Sequence, residues 1–361
     1  MPTSNHKQAR IGVIGAGWWS TQAHLPSLTT YPSVESVALS DLNADKLRAA
    51  GETYGIKARY TDFRKMLDQE DLDGVVVSTH HAAHYEVARE VLSRKLGLML
   101  EKPMVLLARE ARELQQLAQA NATPFVIGYP WHFVAQNQQL RALIHAKKIG
   151  DVQLVSSVFA SMVLEFLRGR PEAYASIFKF PVTGPRAETY SEPRLAGGGQ
   201  GQLQVTHSAA LALWLTGLKP VSVSAFMENF DLKVDLCDAI TVRFDTGAVG
   251  TLASTGGVAA NLAGRQRLDY RIFGSEGYAS LDVLDGECAL HLNTGETQRL
   301  EPVPPALRYP QEATTRHLVD LLLGATQTNI SPADIGVQTV ELLEAAYRSA
   351  EEGRVVQISE L

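Results

Sequence analysis

The chain has 361 residues and a formal net charge of -6 at pH 7. Its length suits two domains of roughly 150 residues each, and its acidic balance argues against a nucleic-acid or anionic-membrane partner. No run approaches the roughly 20 apolar residues that a membrane span needs.

The start of the chain, MPTSNHKQAR, is polar and lacks the apolar core of a secretory signal. It predicts a loose leader. The two cysteines, Cys237 and Cys288, belong to no metal or redox motif. A reduced, cytoplasmic setting fits both observations.

The first half of the chain alternates apolar runs with amphipathic stretches. The runs are continuously apolar, as in strands buried on both faces of a parallel sheet, and they span 11–14, 34–41, 75–77, 98–100 and 124–129. The stretches between them that predict helices span 44–54, 82–94 and 108–120. This alternation predicts a doubly wound α/β domain with right-handed crossovers.

The first strand leads into GVIGAGWWS, where Gly15, Gly17 and Ser20 match the spacing G-x-G-x-x-G/A with a serine last. The first glycine permits a tight turn, and the second lets backbone approach a pyrophosphate at a helix start. The pattern predicts a dinucleotide site, although a glycine turn without a nucleotide is the alternative.

Asp41 ends the second strand, where a carboxylate can hydrogen-bond the ribose 2′-hydroxyl of a dinucleotide. An acid there would repel a 2′-phosphate, so we expect NAD rather than NADP. The alternative is that Asp41 merely caps the next helix.

Several polar stretches follow directly after predicted strands. Parallel strands bring their carboxyl ends to one edge of the sheet, where ligands bind. The stretches are 15–19, 41, 78–81, 101–103 and 128–129. Glu101 and Lys102 could form a plain surface ion pair, but their position on this edge favours a ligand.

Four motifs together resemble the Gfo/Idh/MocA oxidoreductases, named for glucose-fructose oxidoreductase and inositol dehydrogenase. They are GVIGAGWWS…HLP, VVVSTHHAAHYEVA, EKPM and GGGQGQLQVTHSAALALWLTG. The resemblance implies a Rossmann domain at 1–127 and a C-terminal α/β domain at 128–361, whose large, mainly antiparallel sheet often mediates oligomerisation. It also implies NAD(P)-dependent oxidation or reduction of a sugar, cyclitol or related small compound, by a homo-oligomer.

The resemblance and the strand-exit positions together name the candidate site residues. Lys102 and His207 are the catalytic candidates, and Lys102, Tyr129 and His207 are the substrate candidates. The cofactor candidates are Gly15, Gly17, Trp18, Trp19, Asp41, Ser78, Thr79, His84, Glu101 and Lys102. A lysine can polarise the reacting oxygen or exchange its proton if its pKa is lowered, whereas the alternative for Lys102 is a surface cation.

His207 shares a helical stripe with Leu211, Trp214 and Leu218, and Thr206 could cap that helix. We therefore expect His207 near the positive end of the helix dipole, as a neutral imidazole able to accept a proton. The alternative is a core histidine. Many members of the resembling family carry D-x-x-x-H, but here Leu203 stands in the aspartate's place.

Three histidines, His80, His81 and His84, are close in sequence but lack a recognised metal-ligand pattern, so we predict no metal. In the resembling family, a histidine at position 84 is common without metal.

The second half fits a sheet with one covered face. Ile240, Val242 and Phe244 alternate with polar residues before the turn DTG, and the same pattern recurs around GSEG. The stretch 161–196 has no clear period and four prolines. It could line the substrate site, cover a neighbouring subunit or form a peripheral insertion.

Two classes of function follow. The first is an NAD-dependent oxidoreductase acting on a sugar, polyol or similar small carbonyl compound. The second is a non-catalytic NAD(P)-binding sensor or regulator, which Leu203 keeps open.

Overall fold

The computed structural model describes residues 8–361, so residues 1–7 of the predicted leader lie outside the described residues. Ala9 and Arg10 already belong to the first strand. The first sheet has six parallel strands in the order β3-β2-β1-β4-β5-β6. They are β1 (Ala9–Ile14), β2 (Val34–Ser40), β3 (Ala58–Tyr60), β4 (Gly74–Val77), β5 (Gly97–Leu100) and β6 (Phe125–Ile127).

Helices join these strands and confirm the predicted doubly wound arrangement. The helices are α1 (Leu25–Thr29), α2 (Ala44–Thr53), α3 (Phe63–Gln69), α4 (His84–Ser93) and α5 (Ala108–Ala120). Strands β4, β5 and β6 are buried along their whole length, as their apolar runs predicted. Sequence reasoning missed β3 and α3, because a partly exposed three-residue strand carries no apolar run.

The second sheet has nine strands in the order β14-β13-β12-β11-β7-β10-β9-β8-β15. Only β7 and β10 pair in parallel; the other neighbours are antiparallel. The strands are β7 (Val152–Ala160), β8 (Pro220–Glu228), β9 (Cys237–Phe244), β10 (Val249–Thr255), β11 (Arg267–Gly274), β12 (Gly277–Asp282), β13 (Glu287–Leu292), β14 (Thr297–Arg299) and β15 (Val356–Gln357). The predicted hairpins lie at β9–β10 and β11–β12.

The helices of the second half are α6 (Ala135–His145), α7 (Leu164–Leu167), α8 (Glu188–Ser191), α9 (Pro193–Ala196), α10 (Thr206–Thr216), α11 (Ala313–Leu322) and α12 (Ala333–Glu352). Two π-turns, Ser20–His24 and Gly201–Val205, run directly into α1 and α10. Within residues 8–361, no helix combines the length and the apolar character needed to cross a membrane.

The second sheet is covered on one face only. Strands β9 and β10 alternate between buried and exposed residues, and the buried side chains of the sheet form a core with α6, α10 and α12. The opposite face exposes large apolar side chains, among them Val158, Phe226, Val249 and Phe273. One-sided coverage explains the period of two in this half of the sequence.

Helix α11 returns from the second half of the chain to the first sheet. A Cβ at Gly74 or Gly97 would meet the Leu322 side chain at 2.8 or 2.7 Å. Glycine at both positions therefore lets the helix pack closely on β4 and β5. The boundary predicted after residue 127 separates the two sheets, but it does not separate all the helices that cover them.

Candidate active site

The glycine turn after β1 has the geometry that its sequence predicted. Gly15 has φ +102°, and a Cβ there would lie 2.2 Å from the Ser78 carbonyl oxygen, so no other residue fits. A Cβ at Gly17 would meet nothing within 4 Å. The turn thus packs tightly against Ser78 and Thr79 behind it and leaves open space at Gly17, which fits a dinucleotide phosphate.

Asp41 lies at the exit of β2 and faces this turn. One carboxylate oxygen accepts the Ala16 N–H at 2.8 Å and the other accepts the Asn43 N–H at 2.8 Å. The residue that caps α2 is Asn43, whose side chain accepts the Asp45 and Lys46 N–H groups. The alternative of Asp41 as the helix cap is therefore wrong, and its carboxylate lies at the turn where a ribose would bind.

The two tryptophans after the turn point to different partners. The Trp18 ring packs against Phe166, Phe178 and Phe180 at centroid distances of 5.6 to 5.9 Å. The Trp19 Nε1–H instead donates to Glu101 Oε1 at 2.9 Å. Trp18 therefore joins the turn to the 161–196 segment, whereas Trp19 joins it to the exit of β5.

Glu101 is buried and satisfied by three donors. Its Oε1 also lies 2.9 Å from His24 Nε2, and its Oε2 accepts the Lys102 N–H at 3.1 Å. Burial would raise the pKa of Glu101, but the hydrogen bond and charge of His24 and the charge of Lys102 lower it below its ordinary value. Glu101 therefore fixes the loop rather than forming a simple surface ion pair with the Lys102 ammonium.

The Lys102 ammonium lies across the cleft and donates to the Leu203 carbonyl at 3.0 Å. Burial lowers the pKa of Lys102 to about 8, and the charge of Glu101 opposes this shift only in part. The lysine can therefore change its protonation state near neutral pH. This contact brings β5 of the first sheet to the helix that carries His207.

The helix that carries His207 begins earlier than the sequence indicated. The π-turn Gly201–Val205 precedes α10 without a break, and Thr206 has helical backbone angles and caps nothing. The expectation that His207 sits at a helix start is therefore wrong, because a π-turn leaves no simple sequence signature. The physical cause of a neutral His207 is different: burial first, then the charges of Lys102 and His132, lower its pKa well below the ordinary 6.5.

His207 lies among aromatic rings with neither ring nitrogen hydrogen-bonded to any described residue. Its ring centroid is 5.2 Å from Trp131 and 6.2 Å from Tyr129. Trp131 in turn lies 5.6 Å from Tyr309. Sequence reasoning missed both: Trp131 follows β6 two residues after Tyr129 and could have been found by its strand-exit position, whereas Tyr309 arrives from a distant loop.

Tyr129 is buried beside the helix that carries His207. It is 2 % exposed, its hydroxyl lies 3.4 Å from Thr206 Oγ1, and burial raises its pKa to about 12. It supports the helix beside His207 with a neutral hydroxyl.

Two of the three neighbouring histidines, His81 and His84, have separate backbone partners. His81 Nδ1 lies 2.8 Å from the Ala196 carbonyl, and His84 Nδ1 lies 2.8 Å from the Pro103 carbonyl. The His84 ring is fully buried and its Nε2 faces the Thr79 carbonyl at 3.3 Å, so it braces the loops around the site. Over residues 8–361, no group of three or more histidine, cysteine or acidic side chains is arranged to hold a metal.

The 161–196 segment lies against the cofactor edge and is not a peripheral insertion. Besides its phenylalanines on Trp18, its Tyr190 hydroxyl accepts the Trp18 Nε1–H at 2.8 Å. Val182 packs on the apolar cluster that includes Ala16 of the glycine turn. Arg186 is exposed and close enough to His80 to lower that histidine's pKa, after the larger effect of burial.

A buried carboxylate, also missed from the sequence, holds the glycine-rich entry to the His207 helix. Asp235 is 3 % exposed and accepts the N–H groups of Gly199 and Gly201, each at 2.6 Å. It also accepts the Tyr347 hydroxyl at 2.8 Å. A Cβ at Gly199 would lie 2.0 Å from the Asp235 carbonyl oxygen, so this glycine is required by close approach.

Comparison with known proteins identifies both domains of the chain. Residues 9–129 match the family described as "Oxidoreductase family, NAD-binding Rossmann fold", and residues 137–280 match the GFO/IDH/MocA C-terminal domain.

Two relatives and one solved structure show the extent of the similarity. The rhizopine catabolism protein MocA of Rhizobium meliloti is 28% identical over 326 residues, covering 87% of this chain and 92% of the relative. The D-apiose dehydrogenase of Paraburkholderia graminis is 24% identical, covering 99% of this chain and 92% of the relative. The crystal structure of GenD2 from gentamicin A biosynthesis, in complex with NAD, superposes with a TM-score of 0.78 at 23% identity and covers 99% of each chain. With both domains matched in order along it, the chain belongs to the Gfo/Idh/MocA family of oxidoreductases.

Proposed function

We propose that this protein is an NAD-dependent oxidoreductase that interconverts a hydroxyl and a carbonyl group on a sugar, cyclitol or related small compound. The observation that carries the proposal is the proximity of Lys102 to His207. Lys102 Nζ donates to the Leu203 carbonyl in the π-turn that leads into the His207 helix, and its charge contributes to the lowered pKa of His207. The similarity to a D-apiose dehydrogenase supports a sugar-like substrate.

The first sheet would hold the cofactor. Gly15 and Gly17 would admit the phosphates, Ser78 and Thr79 would flank them, and Asp41 would bind the adenosine ribose. Bound NAD supplies the hydride acceptor. The carboxylate of Asp41 disfavours a 2′-phosphate, so NAD is preferred to NADP.

Lys102 and His207 would divide the proton chemistry. Protonated Lys102 donates to the reacting oxygen and polarises it, and neutral His207 accepts the hydroxyl proton during oxidation. Burial favours the neutral imidazole that this role needs. In the reverse direction, His207 returns the proton to the carbonyl oxygen.

The aromatic side chains would form the walls of the substrate site. Trp19, Trp131 and Tyr309 surround the space next to His207 with flat apolar surfaces. Such surfaces pack well against the C–H faces of sugar rings and keep bulk water from the reacting atoms.

The proposal is tested by the pH dependence of kcat/KM for oxidation, after a panel of sugars, cyclitols and their acids is screened for NADH formation. We expect a bell-shaped profile. Its acidic limb lies below the ordinary histidine pKa of 6.5 and its alkaline limb lies near 8, where Lys102 loses its proton. His207→Asn should remove the acidic limb and reduce kcat while the variant still binds NADH.

Two outcomes would contradict this assignment. An acidic limb that persists unchanged in His207→Asn makes that histidine structural. If the protein binds NADH but turns over no compound in the panel, the result favours a non-catalytic NAD(P)-binding sensor or regulator. This is the second candidate function because Leu203 replaces the aspartate of the D-x-x-x-H pattern.

We also propose that the open face of the second sheet pairs with another copy of this chain. Phe273, Val158 and Val249 expose apolar surface on the adjacent strands β11, β7 and β10, and Phe226 does so on β8. Sedimentation of wild type and Phe226→Glu tests this, with a shift toward monomer expected in the variant.

A further inference from the structure

Among residues 8–361, no group of opposite charge lies in hydrogen-bond contact with the Lys102 ammonium group. Its one hydrogen bond goes to the Leu203 carbonyl, which is neutral. The nearest titratable groups are Glu101, His81 and His207, and burial lowers the pKa of both histidines. Lys102 is half-buried, and a cation withdrawn from water to this extent is costly unless an anion meets it.

Glu101 does not fill this role, because its carboxylate is used elsewhere. Its two oxygens accept from the Trp19 indole, face the His24 ring and take the Lys102 backbone N–H. A Cβ at Gly128 would lie 3.0 to 3.1 Å from the Glu101 carboxyl atoms, so the group is also packed tightly from behind. The acid attracts Lys102 through space but cannot turn toward its ammonium.

Leu203 stands where many members of the family carry an aspartate, so this position supplies no negative charge to Lys102. The side chain is buried in an apolar cluster with Met162, Val163, Phe166 and Leu167. The π-turn contributes only a neutral carbonyl, since Lys102 Nζ donates to the Leu203 oxygen. The helix therefore positions the lysine without neutralising it.

We propose that the substrate supplies the missing charge, and that this site is built for a polyhydroxy carboxylic acid, such as an aldonate or a uronate, whose carboxylate binds Lys102. This inference rests on the proposed oxidoreductase function and names its substrate class. It stands on the lysine-to-carbonyl contact, the engagement of Glu101 and the apolar burial of Leu203.

The lysine has enough donors for both tasks. An ammonium group carries three N–H donors, and one is used by Leu203. The remaining two can meet a substrate carboxylate oxygen and the neighbouring hydroxyl that reacts. In oxidation the hydroxyl proton then passes to His207 and the hydride to NAD, so Lys102 keeps its proton and its charge throughout.

The experiment compares matched pairs of ligands by isothermal titration calorimetry on the protein saturated with NADH. Gluconate is paired with glucitol, and glucuronate with glucose. We expect each acid to bind at least about tenfold more tightly than its neutral partner, as for a charge-assisted hydrogen bond, and the difference to shrink with added salt.

Proton uptake gives a second and independent readout. The pKa of Lys102 in the protein without a bound acid is about 8. At pH 8.5, binding of an acid should therefore recruit a proton to Lys102. The number of protons taken up is measured by comparing the binding heat in buffers of different ionisation enthalpy. Lys102→Gln should lose both the preference for acids and the proton uptake. Lys148→Gln, which changes an exposed lysine on another surface, should keep both.

The outcomes separate this inference from the proposed function. Equal or tighter binding of the neutral partners, or acid binding that survives in Lys102→Gln, overturns the inference even if a neutral sugar is oxidised. Acid preference with proton uptake but no NADH formation supports the carboxylate site and counts against the oxidoreductase function.

Discussion

The two halves of the candidate site are built in different ways. On the first sheet, Asp41, Glu101 and Lys102 follow directly after strands, so the strand positions alone bring them to one edge. On the second domain, His207 depends on a π-turn whose glycine-rich entry is held by Asp235 and Tyr347, from distant parts of the chain. The first half is local in sequence and the second half is not, so the two should respond differently to substitution.

The largest effect should come from Lys102, where the halves meet. In Lys102→Met we expect kcat to fall about 10²–10⁴-fold, since the variant removes a positioned polarising group, while NADH affinity stays at the wild-type level. Steady-state rates and NADH fluorescence titration measure the two. Lys148→Met is the matched control, and near-normal kcat in Lys102→Met would end the catalytic assignment.

Asp235→Asn should weaken the second half alone. The variant replaces a carboxylate that accepts two backbone N–H groups and a tyrosine hydroxyl, so we expect about 1–3 kcal/mol less stability. The exposed Asp285→Asn should change stability by less than about 0.5 kcal/mol. Urea unfolding measures both. If the free energy of NADH binding weakens by as much as the free energy of unfolding falls, the two halves of the candidate site are not independent.

Asp41 tests the first half alone. In Asp41→Asn the preference for NADH over NADPH should narrow about tenfold, because the charge that repels a 2′-phosphate is gone. Fluorescence titration with each nucleotide measures the ratio. Asp45→Asn, an exposed change on α2, should leave it unaltered, and an unchanged ratio in Asp41→Asn would contradict the ribose assignment.

Arg186 should give the smallest effect, because its guanidinium is exposed and screened by solvent. It lies on the 161–196 segment near His80, beside the expected phosphate site. Arg186→Gln should weaken NADH and ADP-ribose binding about two- to fivefold at low salt and less at high salt. Arg170→Gln, an exposed arginine of the same segment, is the control; an equal loss there would remove any special role for Arg186.

The sequence was informative where local pattern determines structure. It located β1, β2, β4, β5 and β6 within a few residues, because a strand buried on both faces must be continuously apolar. It also located Gly15 and Asp41 at the ends of β1 and β2. It failed at Thr206, since nothing in QLQVTH signals that the helix already began upstream, and it missed Asp235 and Tyr309, whose roles depend on contacts far along the chain.

The hydrogen bond between Lys102 and Leu203 joins residues 101 positions apart in the chain. Contacts of such separation form late in folding, because the entropy of closing the intervening loop must be overcome first. During synthesis the strands of the first sheet leave the ribosome first, yet helix α11, which packs on β4 and β5, is made only after β7 to β14. The nucleotide half and the reactive centre are therefore completed at the same late stage, so the chain gains the ability to hold a dinucleotide and the ability to react with it together.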